Sequence, residues 1–148
     1  MKGIVLPLVA LPMLLFSTRA KAGDVSLCSV MSAPEKYSGV ELTMTVGYRA
    51  GFEWQELVCS SCNIRNKIWV EFDPDSSDEK LKSSDRFDSL YRVRIRGVFI
   101  GEKGHYGHLN AYEYRFLIRE VLSAKRLWRM SPRKPKVPAA IEAAACLH

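Results

Sequence analysis

Between Tyr91 and Val121 the chain alternates apolar and polar residues twice, on either side of the turn-forming stretch GEKGHYGHLN. Successive side chains on a strand point to opposite faces, so Tyr91, Val93 and Ile95 share one face and Arg92, Arg94 and Arg96 the other. After the turn, Tyr112, Tyr114, Phe116 and Ile118 alternate against Glu113, Arg115, Leu117 and Arg119. Two such runs around a turn predict paired β-strands, and the turn brings His105 and His108 close together. At Gly97 the pattern moves by one residue, which puts Val98 and Ile100 in register with Arg96, so a bulge or sharp bend is expected there. A bend of that kind suits a closed barrel.

Three further strands are expected upstream. In the first, Val40, Leu42, Met44 and Val46 alternate with Glu41, Thr43 and Thr45. Ala50-Gly51 breaks it, Phe52 to Val58 resumes as the second, and Lys67 to Phe72, rich in β-branched and aromatic residues, makes the third. Asp73-Pro74 then opens a polar segment in which Leu81, Phe87 and Leu90 are the large apolar residues. That spacing leaves a solvated loop and a short helix around Asp78 to Ser83 equally open. Ahead of the strands, Val25 and Cys28 fall at helical spacing, with Asp24 as N-cap and Pro34 as stop, predicting a short N-terminal helix. The longest connection falls between the third and fourth strands. The expected fold is therefore mainly β: a small five-stranded OB-like Greek-key barrel with a short N-terminal helix and room for a helix between strands 3 and 4.

The two ends of the chain differ from this middle. Lys2, an apolar run from Gly3 to Phe16, and Ala20-Lys21-Ala22 before Gly23 have the form of a secretory signal, with cleavage expected after Ala22. The run is broken by Pro7 and Pro12 and is shorter than the roughly 20 residues a spanning helix needs, so no transmembrane segment is expected in the mature chain. Residues 1–22 are thus assigned as signal peptide and 23–123 as the barrel, while 124–148 form a basic, Pro-rich, flexible tail, with order in the fifth strand giving way from Ser123. The closing AAIEAAACLH has the composition for a turn or two of helix. The expected location is periplasmic or secreted.

The formal charge of +6 overstates how basic the folded part is. Residues 23–123 hold 13 basic and 15 acidic side chains, while 124–148 hold six basic residues and Glu142 as the one acid. A slightly acidic, exported body argues against a nucleic-acid partner. The basic tail, with Leu127, Trp128 and Met130, is instead a candidate for contact with an anionic membrane surface or an acidic partner.

Cys28, Cys59, Cys62 and Cys146 all follow the signal, and in an oxidising compartment they are disulfide candidates. Three full connectivities exist, and proximity in sequence favours Cys59 with Cys62 through a turn at Ser60-Ser61. The competing chemistry is zinc, for which Cys59, Cys62, His105 and His108 offer the four ligand types of a tetrahedral site. His108 has a structural role open to it, fixing its turn through a backbone hydrogen bond, and Trp54 and Trp69 are expected to pack at the barrel end. General acid–base work by His108 with Glu53 or Glu113 is conceivable, but no nucleophile pattern accompanies it, so an enzyme is disfavoured.

Several local patterns carry a resemblance. Pro34-Glu35-Lys36-Tyr37-Ser38-Gly39, Phe52-Glu53, Ile68-Trp69-Val70, Arg96-Gly97-Val98-Phe99 and Gly107-His108-Leu109 occur in this order over about Val25 to Val121. In them the chain resembles a group of uncharacterised exported bacterial proteins with an OB-like barrel. The resemblance implies architecture and brings no activity or cofactor with it. The functional expectation is an exported binding or protein-interaction module for an unknown protein or small ligand, with no cofactor. Its candidate contact residues are Arg92, Arg94, Arg96, Arg115, His105 and His108. The alternative is a zinc-binding or hydrolytic protein built on the cysteine and histidine loops.

Overall fold

The structure is a computed structural model that describes residues 23–76, 81, 88–131, 133 and 136–146; the signal-like segment and most of the expected helix at 78–83 lie outside the described residues. Five strands, β1 (Glu41–Ala50), β2 (Gln55–Cys59), β3 (Ile64–Phe72), β4 (Ser89–Ile100) and β5 (Tyr114–Arg129), close into a barrel of order β1-β2-β3-β5-β4. All neighbours run antiparallel except β3 and β5, which pair in parallel from Ile68 opposite Tyr114 to Phe72 opposite Ile118. The fold is thus the mainly β, five-stranded barrel expected from the alternation, and it is closed.

The inward residues follow the period of two. Leu42, Met44, Val46 and Tyr48 from β1 meet Val93, Ile95 and Phe99 from β4 and Tyr114, Phe116 and Ile118 from β5 in one buried cluster. Tyr48 is fully buried and its hydroxyl donates to the Gln55 side-chain oxygen at 3.0 Å, which satisfies the polar end of a large core ring. Leu81 also reaches this core.

β4 departs from the expected register in an instructive way. Its phase does not change at Gly97: Val98 and Ile100 stay on the Arg96 side, half-buried, and Phe99 fills the core. The irregularity lies on the partner strand, where Arg96 faces Glu120 but Gly97 faces Ile118, leaving Arg119 as the extra residue. Gly97 is required for closeness, because a Cβ there would stand 2.1 Å from the Leu117 carbonyl oxygen. Two more extra residues, Leu122 and Leu127, let β5 curl along β4 as far as Arg129, well past the expected loss of order at Ser123.

Among the described residues three short α-helices dress the barrel. α1 (Leu27–Ser32) buries Leu27 and Val30 in the main core and is capped by Ser26, whose hydroxyl accepts the Ser29 N–H at 3.0 Å. Asp24, the expected cap, is instead bridged to Thr43 and held by Arg94. Pro34 opens a second turn, α2 (Pro34–Tyr37), rather than stopping the helix, since proline is tolerated at a first helical position.

The C-terminal segment is not a free tail. α3 (Ala139–Ala144) lies against the outside of the barrel, where Val58, Leu90, Trp128 and Ala145 make a second buried cluster joined by Val137 and Ile141. A six-residue helix is marginal by itself, so this packing and the bonds below hold it in place.

Candidate functional site

Two connections, residues 51–54 between β1 and β2 and 101–113 between β4 and β5, are built around aromatic rings. Trp54 folds back so that its carbonyl accepts the Gly51 N–H at 2.9 Å, and the Arg49 guanidinium lies 4.4 Å over its ring. In the longer connection Tyr106 and Tyr112 exchange backbone hydrogen bonds at 3.0 and 3.2 Å, making a small bridge that ties its two ends. Tyr112 sits 5.1 Å from Trp69 on β3. Gly107, at φ +69°, lies on the Trp69 ring so closely that a Cβ would be 2.3 Å from it. Trp69 is therefore the platform of the turn, which agrees with its expected packing role and explains why glycine precedes His108.

Among the described residues the His108 side chain meets a carboxylate and makes no bond to backbone. Its Nε2 stands 3.5 Å from a Glu53 carboxylate oxygen, bridging the two connections, and both side chains are more than a third exposed. The residues beside this pair carry the largest exposed apolar groups described: Phe52 is 74% exposed and Leu109, in a left-handed conformation at φ +55°, is 83% exposed. Sequence reading passed over both, since Phe52 was placed in a strand and Leu109 had no partner in the alternation. The signal present was the Gly107…Asn110 frame, whose residues both adopt positive φ and turn Leu109 outward.

The arginine row is neutralised where its contacts are resolved. Arg94 donates to both Asp24 oxygens at 3.1 and 2.8 Å, Arg96 pairs with Glu120, Arg115 with Glu71 at 3.1 Å and Arg119 with Glu41 at 3.0 Å. Arg92 is half-buried on the same face. Cross-strand pairing of this kind is the ordinary use of charge on an exposed strand face.

The cysteines pair as Cys28–Cys62 and Cys59–Cys146, with no free thiol, in place of the Cys59–Cys62 bridge that proximity favoured. The 3-10 turn Ser60–Cys62 points the two sulfurs of that motif at different elements, one toward α1 and one toward the end of α3. Zinc takes cysteine as thiolate, and a disulfide sulfur offers none. Among the described residues the one grouping close enough to share an ion is Cys28, Cys59 and Cys62, and neither His105, exposed on the turn, nor His108 belongs to it. The four-residue zinc set is not assembled.

A buried carboxylate went unnoticed in the sequence. Glu56 alternates with the core residue Leu57 and so lies on the outer face of β2, the face where Val58 packs against Ala145, yet it is 1% exposed. It accepts the Asn66 N–H at 2.5 Å and lies 3.7 Å from Arg49. Burial pushes its carboxyl above the usual range, against the pull of the Asn66 N–H, Arg49 and Arg65. Arg65 is engaged above it by the nearly buried Glu142 of α3. Burial and the Glu56 charge push the Tyr112 hydroxyl up to about 12. Glu56 is thus the point where the turn end and the C-terminal segment meet electrostatically.

A scan against protein-family models finds no match, and neither a curated protein nor a solved structure matches the chain. Among the described residues no helix is long and apolar enough to cross a membrane.

Proposed function

We propose that the chain is an exported, non-enzymatic OB-fold binding module that engages a protein partner through the 51–54 and 101–113 connections. The observation that carries this reading is the placing of Phe52 and Leu109, 74% and 83% exposed, beside the Glu53–His108 pair that joins the two connections. Large apolar side chains presented to water by a braced scaffold are characteristic of interaction surfaces. OB-type barrels hold their ligands with the equivalent loops, an analogy of fold that raises the reading without carrying it. A protein with an apolar pocket fits better than a polyanion, since the neighbouring Arg115 is paired with Glu71. Export is supported by the form of residues 1–22 and by two disulfides, which persist in oxidising compartments.

The test is capture from an extract of the cell envelope with the mature oxidised chain and with its Phe52→Ser/Leu109→Ser variant, both residues being exposed enough for the variant to fold. A species retained by the natural chain and lost from the variant supports the reading. Equal retention by both contradicts it.

A further inference from the structure

The two disulfides touch each other, and neither shares a residue with the 51–54 and 101–113 connections. Cys28 Sγ of one bridge lies 3.8 Å from Cys59 Sγ of the other. The sulfurs of Cys28, Cys59 and Cys62 all fall within 4.8 Å of one another, and Cys146 is bonded to Cys59, so the four cysteines form one cluster. The exposed Ser61 hydroxyl stands against both touching sulfurs, 3.0 Å from Cys59 and 3.7 Å from Cys28.

The bridges differ in access and in what they hold. Cys59 is 3% and Cys146 8% exposed, whereas Cys28 and Cys62 are only half-buried. Exchange requires a thiolate to reach a disulfide sulfur, so a reductant in solvent meets Cys28–Cys62 first. Cys59 is closed to that reductant but in contact with Cys28. The outer bridge joins α1 to the turn after β2, and α1 also keeps Leu27 and Val30 in the main core. The inner bridge fastens the end of α3, a six-residue helix that is marginal by itself. A bridge from Cys28 to Cys59 would span 31 residues against the 87 of Cys59–Cys146, and closing the shorter loop costs less chain entropy.

We propose that the four cysteines form an internal thiol–disulfide relay, in which reduction of the outer bridge by an external dithiol is passed inward and unfastens the C-terminal segment from β2. In the first step the dithiol gives two electrons and two protons to Cys28–Cys62, leaving two thiols and becoming a disulfide itself. In the second step the Cys28 thiolate attacks Cys59 Sγ. The Cys28–Cys59 bond forms and the Cys59–Cys146 bond breaks. The leaving electron pair stays on Cys146, which takes up the proton that Cys28 gave up. This second step moves no net electrons, so one two-electron donor completes the relay.

Partial reduction of the mature oxidised chain with an equimolar amount of dithiothreitol tests this, followed by an acid quench, alkylation with a maleimide and mapping of the bridged and alkylated peptides by mass spectrometry. The main species with a single bridge is expected to carry Cys28–Cys59, with Cys62 and Cys146 alkylated. Alkylation of Cys146 also reports the release, since that sulfur is shut from solvent in the oxidised chain. Any other main species with a single bridge overturns the proposal: Cys59–Cys146 would show that reduction stops at the surface, Cys28–Cys62 that the inner bridge is reduced first, and Cys59–Cys62 that Cys62 is the attacking thiol. Loss of both bridges together, with no singly bridged species, overturns it as well. In a second preparation, Cys62→Ser leaves Cys28 without its partner and is expected to show the Cys28–Cys59 bridge and a free Cys146 with no reductant added; Cys59–Cys146 retained there contradicts the relay.

Discussion

Cys146 is bonded to Cys59 across 87 residues of sequence, so the end of the C-terminal segment is fastened to the end of β2. Closing a loop that long restricts the unfolded chain more than the 34-residue separation of Cys28–Cys62 does. The double variant Cys59→Ser/Cys146→Ser is expected to lose about 2–5 kcal/mol in urea unfolding, and α3 should leave the barrel. An unchanged urea midpoint would show that the segment is held by packing alone.

Glu56 gives the protein a pH dependence of definite sign. Burial raises its folded carboxyl above the ordinary 4.5, so the folded state holds that proton more tightly than the unfolded chain does. The stabilisation linked to this proton is complete below pH 4.5 and is lost as pH rises through the raised value. Glu56→Gln, which keeps the shape without the charge, should therefore melt at a higher temperature relative to the natural chain at pH 7 than at pH 4. Melting curves at the two values check this, and a difference that shrinks toward neutral pH would contradict it.

Gly97 admits no larger side chain. A methyl group there would meet the Leu117 carbonyl oxygen at 2.1 Å and the Phe116 ring at 2.7 Å, both in the closing β4–β5 ladder. Gly97→Ala is expected to cost about 1–3 kcal/mol in denaturant unfolding as the strands are forced apart. Gly23, whose environment is open by contrast, should accept alanine without measurable effect, since nothing lies within 4 Å of the added carbon.

The alternation of Leu42, Met44, Val46 and Tyr48, and of Tyr114, Phe116 and Ile118, made the barrel legible because an inward face must be apolar wherever it is enclosed. Where period two fails, so did the reading. The extra residues Arg119, Leu122 and Leu127 break the alternation of β5, and the strand's last third looked like loop although it stays paired to Arg129. Gly97 drew attention to a real irregularity but on the wrong strand, since a bulge in one strand and the glycine that accommodates it in the next are adjacent only in space. Disulfide partners and the burial of Glu56 were hidden for a related reason: both depend on a C-terminal segment folding back over β2, and composition rich in Pro, Arg and Lys gave no sign of that. At the turn, the glycines and histidines were visible, but the exposure of Phe52 and Leu109 depends on what the Trp69 platform leaves uncovered.

The central claim is that the 51–54 and 101–113 connections meet a partner. Its most direct test places a photo-crosslinking benzoyl-phenylalanine at position 109, where the side chain packs on little, and, in separate chains, at 52 and at 122, the last an exposed position on the β5 bulge. Irradiation of living cells is expected to give the same discrete adduct from positions 52 and 109 and none from 122. No adduct from 52 and 109, or equal adducts from all three, would contradict the account.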